Sequence, residues 1–441
     1  MLGDSDLSRR DVLKYTGTTA GIAGLAGCSS NGNGGDSGGG GDSGGDSDGD
    51  SSGDSGGSGG DSGGSGEELR VGFLHPTSGP FAALGEAQEK GSHVAVNHVN
   101  EDLGGILGRE VVRFVEDTEG DPSTGREMAR RHVETNDVDL LIGGVSGAVN
   151  LSVADYAYDV GIPYFAYGGP EEITGEECLP TTFRYQYSDS QIARSGAEWA
   201  LENLGSNVWI HIADYAFGQS IARTWKDAFE ASGLDFNIVD ETQTPLGTTD
   251  FSAVISEIQS SDADWVLQGF SGADAVNFLS QTAQFELEQD IMSTTNTYLP
   301  LRQGAGSSAV GTYTTIRYEP TYESEANELL TDRYTAEYDE PPTDFALVMW
   351  SSLRLYAQAA ENAGGIETSA IIDEMEGLES DEPMGTTTMR ECDHQALRDG
   401  FVGRITEPDQ YDWPGQEIVA TRPADEITRT CEETGCELPS L

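Results

Sequence analysis

The sequence predicts an α/β protein made of two open parallel sheets, each covered by helices on both faces. Three observations carry this. Short apolar runs of strand length alternate with longer stretches whose apolar residues recur at helical spacing. Repeated strand, helix, strand order implies parallel pairing through helical crossovers. The rhythm pauses at Phe183-Arg184-Tyr185 and restarts, and the foldable part, residues 67–441, is longer than one hydrophobic core usually spans.

The elements follow in order. Residues 69–74 read as a strand, 85–103 as a helix with Ala87, Val94, Val96, Val99 and Leu103 along one stripe, and 111–116 as a second strand. A helix at 123–134, a strand at 139–142, a helix near 150–159 and a strand at 163–166 complete the first unit. The second opens on a helix at 188–204. It continues with strand 208–212, helix 218–231, strand 236–239, helix 251–260, strand 265–268, helix 274–285 and strand 289–293. The later helical stretch 327–377, with the apolar run 345–356 at its centre, must cross back onto one of the two units. Two such units facing each other leave a cleft, and open α/β sheets hold ligands beyond the carboxyl ends of their strands.

Charge narrows the function. The net charge is -54, from 77 acidic and 23 basic residues, and only Lys14, Lys90 and Lys226 are lysine. A phosphate backbone would be repelled, so nucleic acid is excluded as a partner. Acid-rich, lysine-poor surfaces suit high salt, where a Debye length of about 3 Å at 1 M screens self-repulsion. We read a salt-adapted protein. Disorder is excluded for the body of the chain, because 36% of the residues are apolar and they are periodic.

The first 66 residues are address and leash. Ser8-Arg9-Arg10-Asp11-Val12-Leu13-Lys14 precedes a small, uncharged run at 15–27 that is too short to span a bilayer. Leu25-Ala26-Gly27-Cys28 has the form of a lipobox, in which cleavage falls before a cysteine that takes lipid. Residues 1–28 are thus read as a twin-arginine lipoprotein signal peptide with Cys28 as the lipid attachment. Residues 29–66 hold 18 Gly, 11 Ser, 7 Asp and 2 Asn and nothing apolar. They read as a disordered linker, with an expected r.m.s. span of roughly 35 Å. Gly-Asp-Ser-Gly-Gly, the setting of the trypsin-like nucleophile, starts here at Gly35, Gly41, Gly53 and Gly60. An unfoldable tract offers no fixed base or oxyanion hole, so this is low complexity and not a protease.

Within the body, Val71-Gly72-Phe73-Leu74, Thr77-Ser78-Gly79-Pro80, the run Leu103 to Arg109, Glu116-Asp117 and Asp121-Pro122 stand in a telling order. Leu141-Ile142-Gly143-Gly144, Gly161-Ile162-Pro163, Asp214 to Gly218 and Asp250-Phe251-Ser252 follow. Together they resemble the type I periplasmic binding proteins, the leucine/isoleucine/valine-binding branch, over about 69–404. The resemblance implies two Rossmann-like lobes joined by three crossovers near Gln186, Tyr313 and Thr388. Lobe I would be 67–186 with 315–386, and lobe II 187–314 with 387–441. It also implies a monomer that closes on a small-molecule ligand and delivers it to the permease subunits of an ABC importer. With the signal read above, the protein would sit on the extracellular face of the cell membrane, lipid-anchored.

Three loops are expected at the cleft. Gly144-Val145-Ser146-Gly147-Ala148 joins a strand to a helix, so backbone N–H groups and the Ser146 hydroxyl suit a carboxylate. Ser146, Gly147 and Ala148 are the candidates there. Tyr167, Gly168 and Gly169 match the family loop that adds further donors, although its Thr is missing here. Phe217 and Phe270 match cleft aromatics of the second lobe. Two departures matter: the family's ammonium-binding Glu is replaced by Ser293-Thr294-Thr295-Asn296, leaving Asn296 as the candidate, and a Tyr of the first loop is Leu84. An α-amino acid would lack its charge partner, so a related amide or carboxylate is expected alongside a branched-chain amino acid, whose ammonium Asn296 could accept from.

Four further cysteines remain: Cys178, Cys392, Cys431 and Cys436. Three full pairings are possible. Four residues separate Cys431 from Cys436, which suggests a local disulfide with Cys178–Cys392 as its complement. Zinc is the competitor, but a Cys-x4-Cys pair without a nearby second pair or His makes a weak site. Neither metal nor cofactor is expected. Cys392-Asp393-His394 cannot pair a nucleophile with a base, because neighbours on a strand face opposite sides. No enzyme is expected. Two classes stay open: a solute-binding lipoprotein, and a ligand-sensing ectodomain acting with a separate membrane signalling partner.

Overall fold

A computed structural model describes residues 68–409 and 411–441. The signal peptide, Cys28 and the linker lie outside the described residues. In the first lobe β1 (Leu69–His75), β2 (Val111–Asp117), β3 (Leu140–Gly143), β4 (Tyr164–Ala166) and β5 (Thr182–Phe183) form an all-parallel sheet of order β2-β1-β3-β4-β5. The connections are α1 (Ala82–Glu101), α2 (Pro122–Asn136) and α3 (Gly147–Val160). β1 is buried at all but one position, as expected for a strand covered on both faces. α2 starts where the Asp121 carboxylate accepts from the Ser123 and Thr124 amides, with Pro122 at the first helical position.

The second lobe repeats the plan. α4 (Asp189–Asn203) opens it with a Ser188/Gln191 capping box. Then come β6 (Asn207–Ala213), α5 (Ala216–Ser232), β7 (Asn237–Thr244), α6 (Ser252–Gln259), β8 (Trp265–Gly269), α7 (Gly272–Gln284), β9 (Asp290–Ser293), α8 (Leu299–Ala305) and β10 (Tyr313–Ile316). Their order, β7-β6-β8-β9-β10, is that of the first sheet. The α/β class with two lobes is therefore as the sequence predicts.

The late helical stretch returns to the first lobe as α9 (Glu325–Tyr338), α10 (Asp344–Ala363) and α11 (Thr368–Met375). α10 is buried around most of its circumference and packs against α1. Gly91 permits the approach: a Cβ there would lie 2.5 Å from the Ala346 Cα. Across the same contact Trp350 stacks on His98 at 4.4 Å. A small antiparallel sheet follows, β11 (Glu379–Glu382), β12 (Gly385–Met389) and β13 (Ala396–Leu397). The chain then re-enters the second sheet as antiparallel β14 (Gly400–Thr406), beside β10, and β15 (Gly415–Arg422) at the edge. It passes between the sheets three times, after β5, β10 and β13. The first and third passages are bridged at Arg184 and Gln395.

The disulfides correct the expected pairing. Cys178 bonds to Cys436 and Cys392 to Cys431, with Cα–Cα distances of 5.6 and 6.1 Å. The residues between Cys431 and Cys436 wind into the short helix α13 (Cys431–Thr434), which follows α12 (Ala424–Ile427), is capped by Thr430 and stops at Gly435 with φ +68°. That turn commits each thiol to a different neighbouring segment. The C-terminal tail is thereby tied to the first lobe and to the third passage.

Candidate functional site

Both sheets reverse strand order at corresponding points, between β1 and β3 and between β6 and β8. Crevices in open α/β sheets form beyond such points. The loop after β3 needs two glycines with positive φ, Gly143 at 131° and Gly144 at 84°. A Cβ on Gly144 would strike Asn150 Oδ1 at 2.4 Å. Ser146 is the N-cap of α3, yet its hydroxyl makes no capping bond, and the Gly147 and Ala148 amides open the helix without acceptors. Ser146 and Gly147 are half-buried and Ala148 is exposed. Donors are thus present and unspent where the sequence places a carboxylate site.

One buried residue holds this loop to the next. Asn150 Nδ2 donates to the carbonyls of Ser146 (2.9 Å) and Tyr167 (2.6 Å), and Tyr164 Oη lies 2.6 Å from Asn150 Oδ1 and 2.9 Å from the Gly143 carbonyl. The 167–170 loop is gripped from behind by fully buried Arg184. Its Nη1 donates to the carbonyls of Gly168 (3.2 Å), Gly169 (3.3 Å) and Pro170 (2.5 Å), and its Nε to Gln395 Oε1 (2.5 Å). Gly168 and Gly169 leave no room for side chains, since added Cβ atoms would lie 2.5 Å from Asn150 Nδ2 and 2.1 Å from Asp189 Oδ1. Asp189, the first residue of α4, in turn accepts from Ser220 Oγ of α5 at 2.9 Å, and its amide donates to the Gly169 carbonyl at 2.8 Å, which links the 167–170 loop to the second lobe.

Tyr167 points elsewhere than a ligand loop would suggest. Its ring is buried and stacks on Phe345 at 4.9 Å, and its Oη donates to Asp344 Oδ2 at 2.9 Å. Phe345 meets Tyr298 of the second lobe at 5.9 Å, and the Arg317 guanidinium sits 5.0 Å over the Tyr298 ring. An aromatic row therefore spans the lobe junction. Burial raises the Asp344 carboxyl against the pull of Arg317, and burial raises the Tyr167 hydroxyl with the Asp344 charge adding to it. Burial, with repulsion from Glu171, also raises Asp189.

The second-lobe candidates divide. Phe217 is half-buried at the start of α5 and stacks beside Tyr215 at 6.1 Å, and Tyr215 is 37% exposed. Phe270 does not reach the surface. Its ring is enclosed by His211, Phe251 and Phe278 at 5.1 to 5.6 Å. Asn296 is also enclosed, donating to Thr312 Oγ1 at 3.0 Å, while Thr295 donates to the Phe270 carbonyl at 2.8 Å. The segment without an acid is thus knitted into the lobe interior by hydroxyls, and the residue that emerges from it is Tyr298. Sequence reasoning missed Tyr298, Arg317, Asp189 and Phe345, since each reads locally as an unremarked loop or core residue. Cys392-Asp393-His394 is dispersed: the thiol is in a disulfide, Asp393 pairs with Arg390 at the 2.8 Å Nε–Oδ1 contact, and His394 stacks on Phe183.

Among the described residues no group of three or more His, Cys, Asp or Glu is placed to hold a metal, and no helix is long and apolar enough to cross a membrane. Two lobes of matching strand order, with loops facing each other across a junction crossed three times, define a two-lobed binding protein of type I topology. The chain belongs to the periplasmic binding proteins, whose family model matches residues 68–410. That is a family of binding proteins, not of enzymes. Among curated relatives, "Leu/Ile/Val-binding protein homolog 8" of Brucella abortus is 30% identical over 225 residues, covering 48% of this chain and 54% of the relative. "Leu/Ile/Val-binding protein BraC3" of Rhizobium johnstonii is 29% identical over 203 residues, 46% and 54% of the two chains. The chain thus spans about half the length of the curated relatives it matches. In fold it is similar to an amino acid ABC transporter substrate-binding protein from Pseudomonas fluorescens (TM-score 0.76, 21% identity, 85% of this chain and all of that one). It is also similar to an R. palustris solute-binding protein solved with benzoate (TM-score 0.71, 23% identity, 84% and 100%).

Proposed function

We propose that the protein is an extracytoplasmic solute-binding protein that closes its two lobes on a small polar solute and delivers it to an ABC importer, tethered to the outer face of the membrane through lipid on Cys28. The observation that carries this is the unspent donor set at the start of α3, with the Ser146 hydroxyl and the Gly147 and Ala148 amides free beside a loop that buried Asn150 and Arg184 hold rigid. Such a set suits a carboxylate. The aromatic row across the junction supplies an apolar surface for the rest of the solute. Relatives named as binding leucine, isoleucine and valine, and a fold neighbour solved with benzoate, support a branched-chain amino acid or a related amide or carboxylate as the ligand. Closure around the ligand would shift an open and closed equilibrium that the importer reads.

The test is a thermal-shift screen of amino acids, amides and organic acids in molar salt, followed by solution scattering on the hits. A ligand that raises Tm and shrinks the radius of gyration is expected; no shift and no compaction with any solute overturns the reading. Uptake of the labelled solute by cells with and without the protein separates delivery from sensing, since a sensing ectodomain would compact without supporting uptake.

A further inference from the structure

The aromatic row ends on a cation that stacks on one ring and makes no hydrogen bond. Arg317 follows β10 on the second passage between the lobes, and it is 7% exposed. Its Nε is buried without a hydrogen-bond partner, its Nη1 and Nη2 are not fully enclosed, and none of the three makes a hydrogen bond or ion pair among the described residues. Burying an arginine in this way is costly unless something pairs with it. Scarcity of acids is not the reason, because the chain holds 77 acidic residues to 23 basic ones. The two carboxylates that feel its charge are otherwise engaged: Asp344 accepts from Tyr167 Oη and from Gln186 Nε2, and Asp189 accepts from Ser220 Oγ. Arg184, equally buried, shows the alternative, spending its guanidinium on three carbonyls and two side chains. Arg398 also lacks hydrogen bonds, but it is clasped by the rings of Tyr185 and Tyr187 at 4.5 and 3.7 Å, inside the junction. Arg317 has one ring beneath it, and that ring belongs to the loop that emerges from the second lobe.

We propose that Arg317 binds a carboxylate on the solute, so that the ligand class is organic acids whose apolar or aromatic body lies along Tyr298 and Phe345. This rests on the solute-binding reading above and names its ligand. A guanidinium fork matches a carboxylate in geometry as well as charge, and the Tyr298 ring under it restricts the fork's orientation before the ligand arrives. An amino group on the ligand is dispensable in this arrangement. The Ser293-to-Asn296 segment offers it no acid.

The experiment is calorimetry on the full folded chain in molar salt with benzoate, 4-methyl-2-oxopentanoate and leucine, each against its primary amide. At least one acid should bind, with its amide roughly 30- to 100-fold weaker. Arg317→Gln should weaken the acid by a similar factor and bring acid and amide to within about fivefold of each other, with Arg317→Lys intermediate. An amide bound as tightly as its acid, or an Arg317→Gln protein that keeps the acid within threefold of the unmodified chain, overturns the inference. If Arg317→Gln does not fold, Arg317→Lys, which keeps the charge and loses the fork, decides: an acid affinity within threefold of the unmodified chain overturns the inference. Binding of an uncharged or purely cationic solute with no acid bound overturns the inference while leaving the solute-binding reading intact; binding of nothing at all overturns both.

Discussion

Asn150→Ala separates positioning of the site from stability at large. Asn150 is fully buried and ties Ser146 to Tyr167 through two donated bonds of 2.9 and 2.6 Å, while its Oδ1 stands 2.6 Å from Tyr164 Oη. Removing the amide leaves Ser146 O its bond from the residue-150 backbone N–H and leaves Tyr164 its contact with the Gly143 carbonyl. The Tyr167 carbonyl is then a buried acceptor without its side-chain donor. One orphaned carbonyl at about 1–3 kcal/mol and a neutral hydrogen bond at about 1 kcal/mol give a loss of roughly 2–4 kcal/mol. Both loops also lose their common anchor, so affinity for the solute found in the screen should fall at least tenfold. Leu267→Ala is the control: it hollows the second-lobe core at a fully buried leucine and should cost about 2–5 kcal/mol with affinity within twofold. Guanidinium unfolding read by tryptophan fluorescence and calorimetric titration of each folded variant give both numbers. An Asn150→Ala protein with the stability loss but unchanged affinity would refute the anchoring argument. So would a Leu267→Ala protein that loses affinity equally.

Ser146→Ala should cost less than about 0.5 kcal/mol of stability, because the hydroxyl caps nothing, yet weaken a carboxylate ligand by roughly tenfold; equal loss of both would make it an ordinary cap. Peptide mapping without reduction should recover the Cys178–Cys436 and Cys392–Cys431 links, and Cys178→Ser with Cys436→Ser should cost about 2–4 kcal/mol, measured by denaturant titration; a Cys431–Cys436 peptide would contradict this. Burial lowers His75 to about 3 and His132 and His211 to about 4, from 6.5. The folded state therefore binds fewer protons than the unfolded chain. The stability these neutral rings allow is present above pH 6.5 and is lost as pH falls toward 4, by roughly 2 kcal/mol per histidine at pH 5. The buried carboxyls of Asp189, Asp344 and Glu382, raised by burial, pull the other way. The check is accordingly the difference between the unmodified chain and His211→Gln, whose loss from pH 7.5 to 5 should be about 2 kcal/mol smaller; identical slopes would mean that the ring titrates in the fold as it does in the unfolded chain.

Most of the fold is legible because local patterns specify it. The periodic stripe of α1, the Asp121-Pro122 start of α2 and the Ser188 box of α4 each place an element boundary with neighbouring residues alone. The run 345–356 announces a buried helix but not its neighbour, because what seats it is the absence of a side chain at Gly91, some 250 positions away. β14 and β15 carry a weaker message. β15 is an edge strand of half-exposed residues, and antiparallel return strands beside β10 have no helical crossover to herald them. The cysteine pairing fails as a local inference for a related reason. Proximity in sequence was outweighed by one helical turn, Cys431–Thr434, that sends the two thiols to segments 258 and 39 residues away.

The candidate site divides along the same line. Loop glycines betray themselves, because a strand followed by Gly143-Gly144 and then a helix can be read as a turn of positive φ with free amides at its end. Strand-end aromatics do not, because the side of the sheet a ring takes depends on its neighbours. Phe270 turns inward to complete a cluster with Phe251, Phe278 and His211, whereas Tyr298, lying past a run of hydroxyls that bind each other, is pushed out to the junction. Arg317 is harder still. On paper it is one of 20 arginines in a chain crowded with acids, and the default reading is a paired surface cation. What distinguishes it is a deficit, the missing partner of a buried charge. A deficit is visible only when every neighbour's hydrogen bonds are placed, and the groups around it come from residues 167, 189, 298 and 344. Stability alone would favour giving such a guanidinium hydrogen-bond partners, so one held over Tyr298 at the junction of two lobes with none is what a ligand contact there would require.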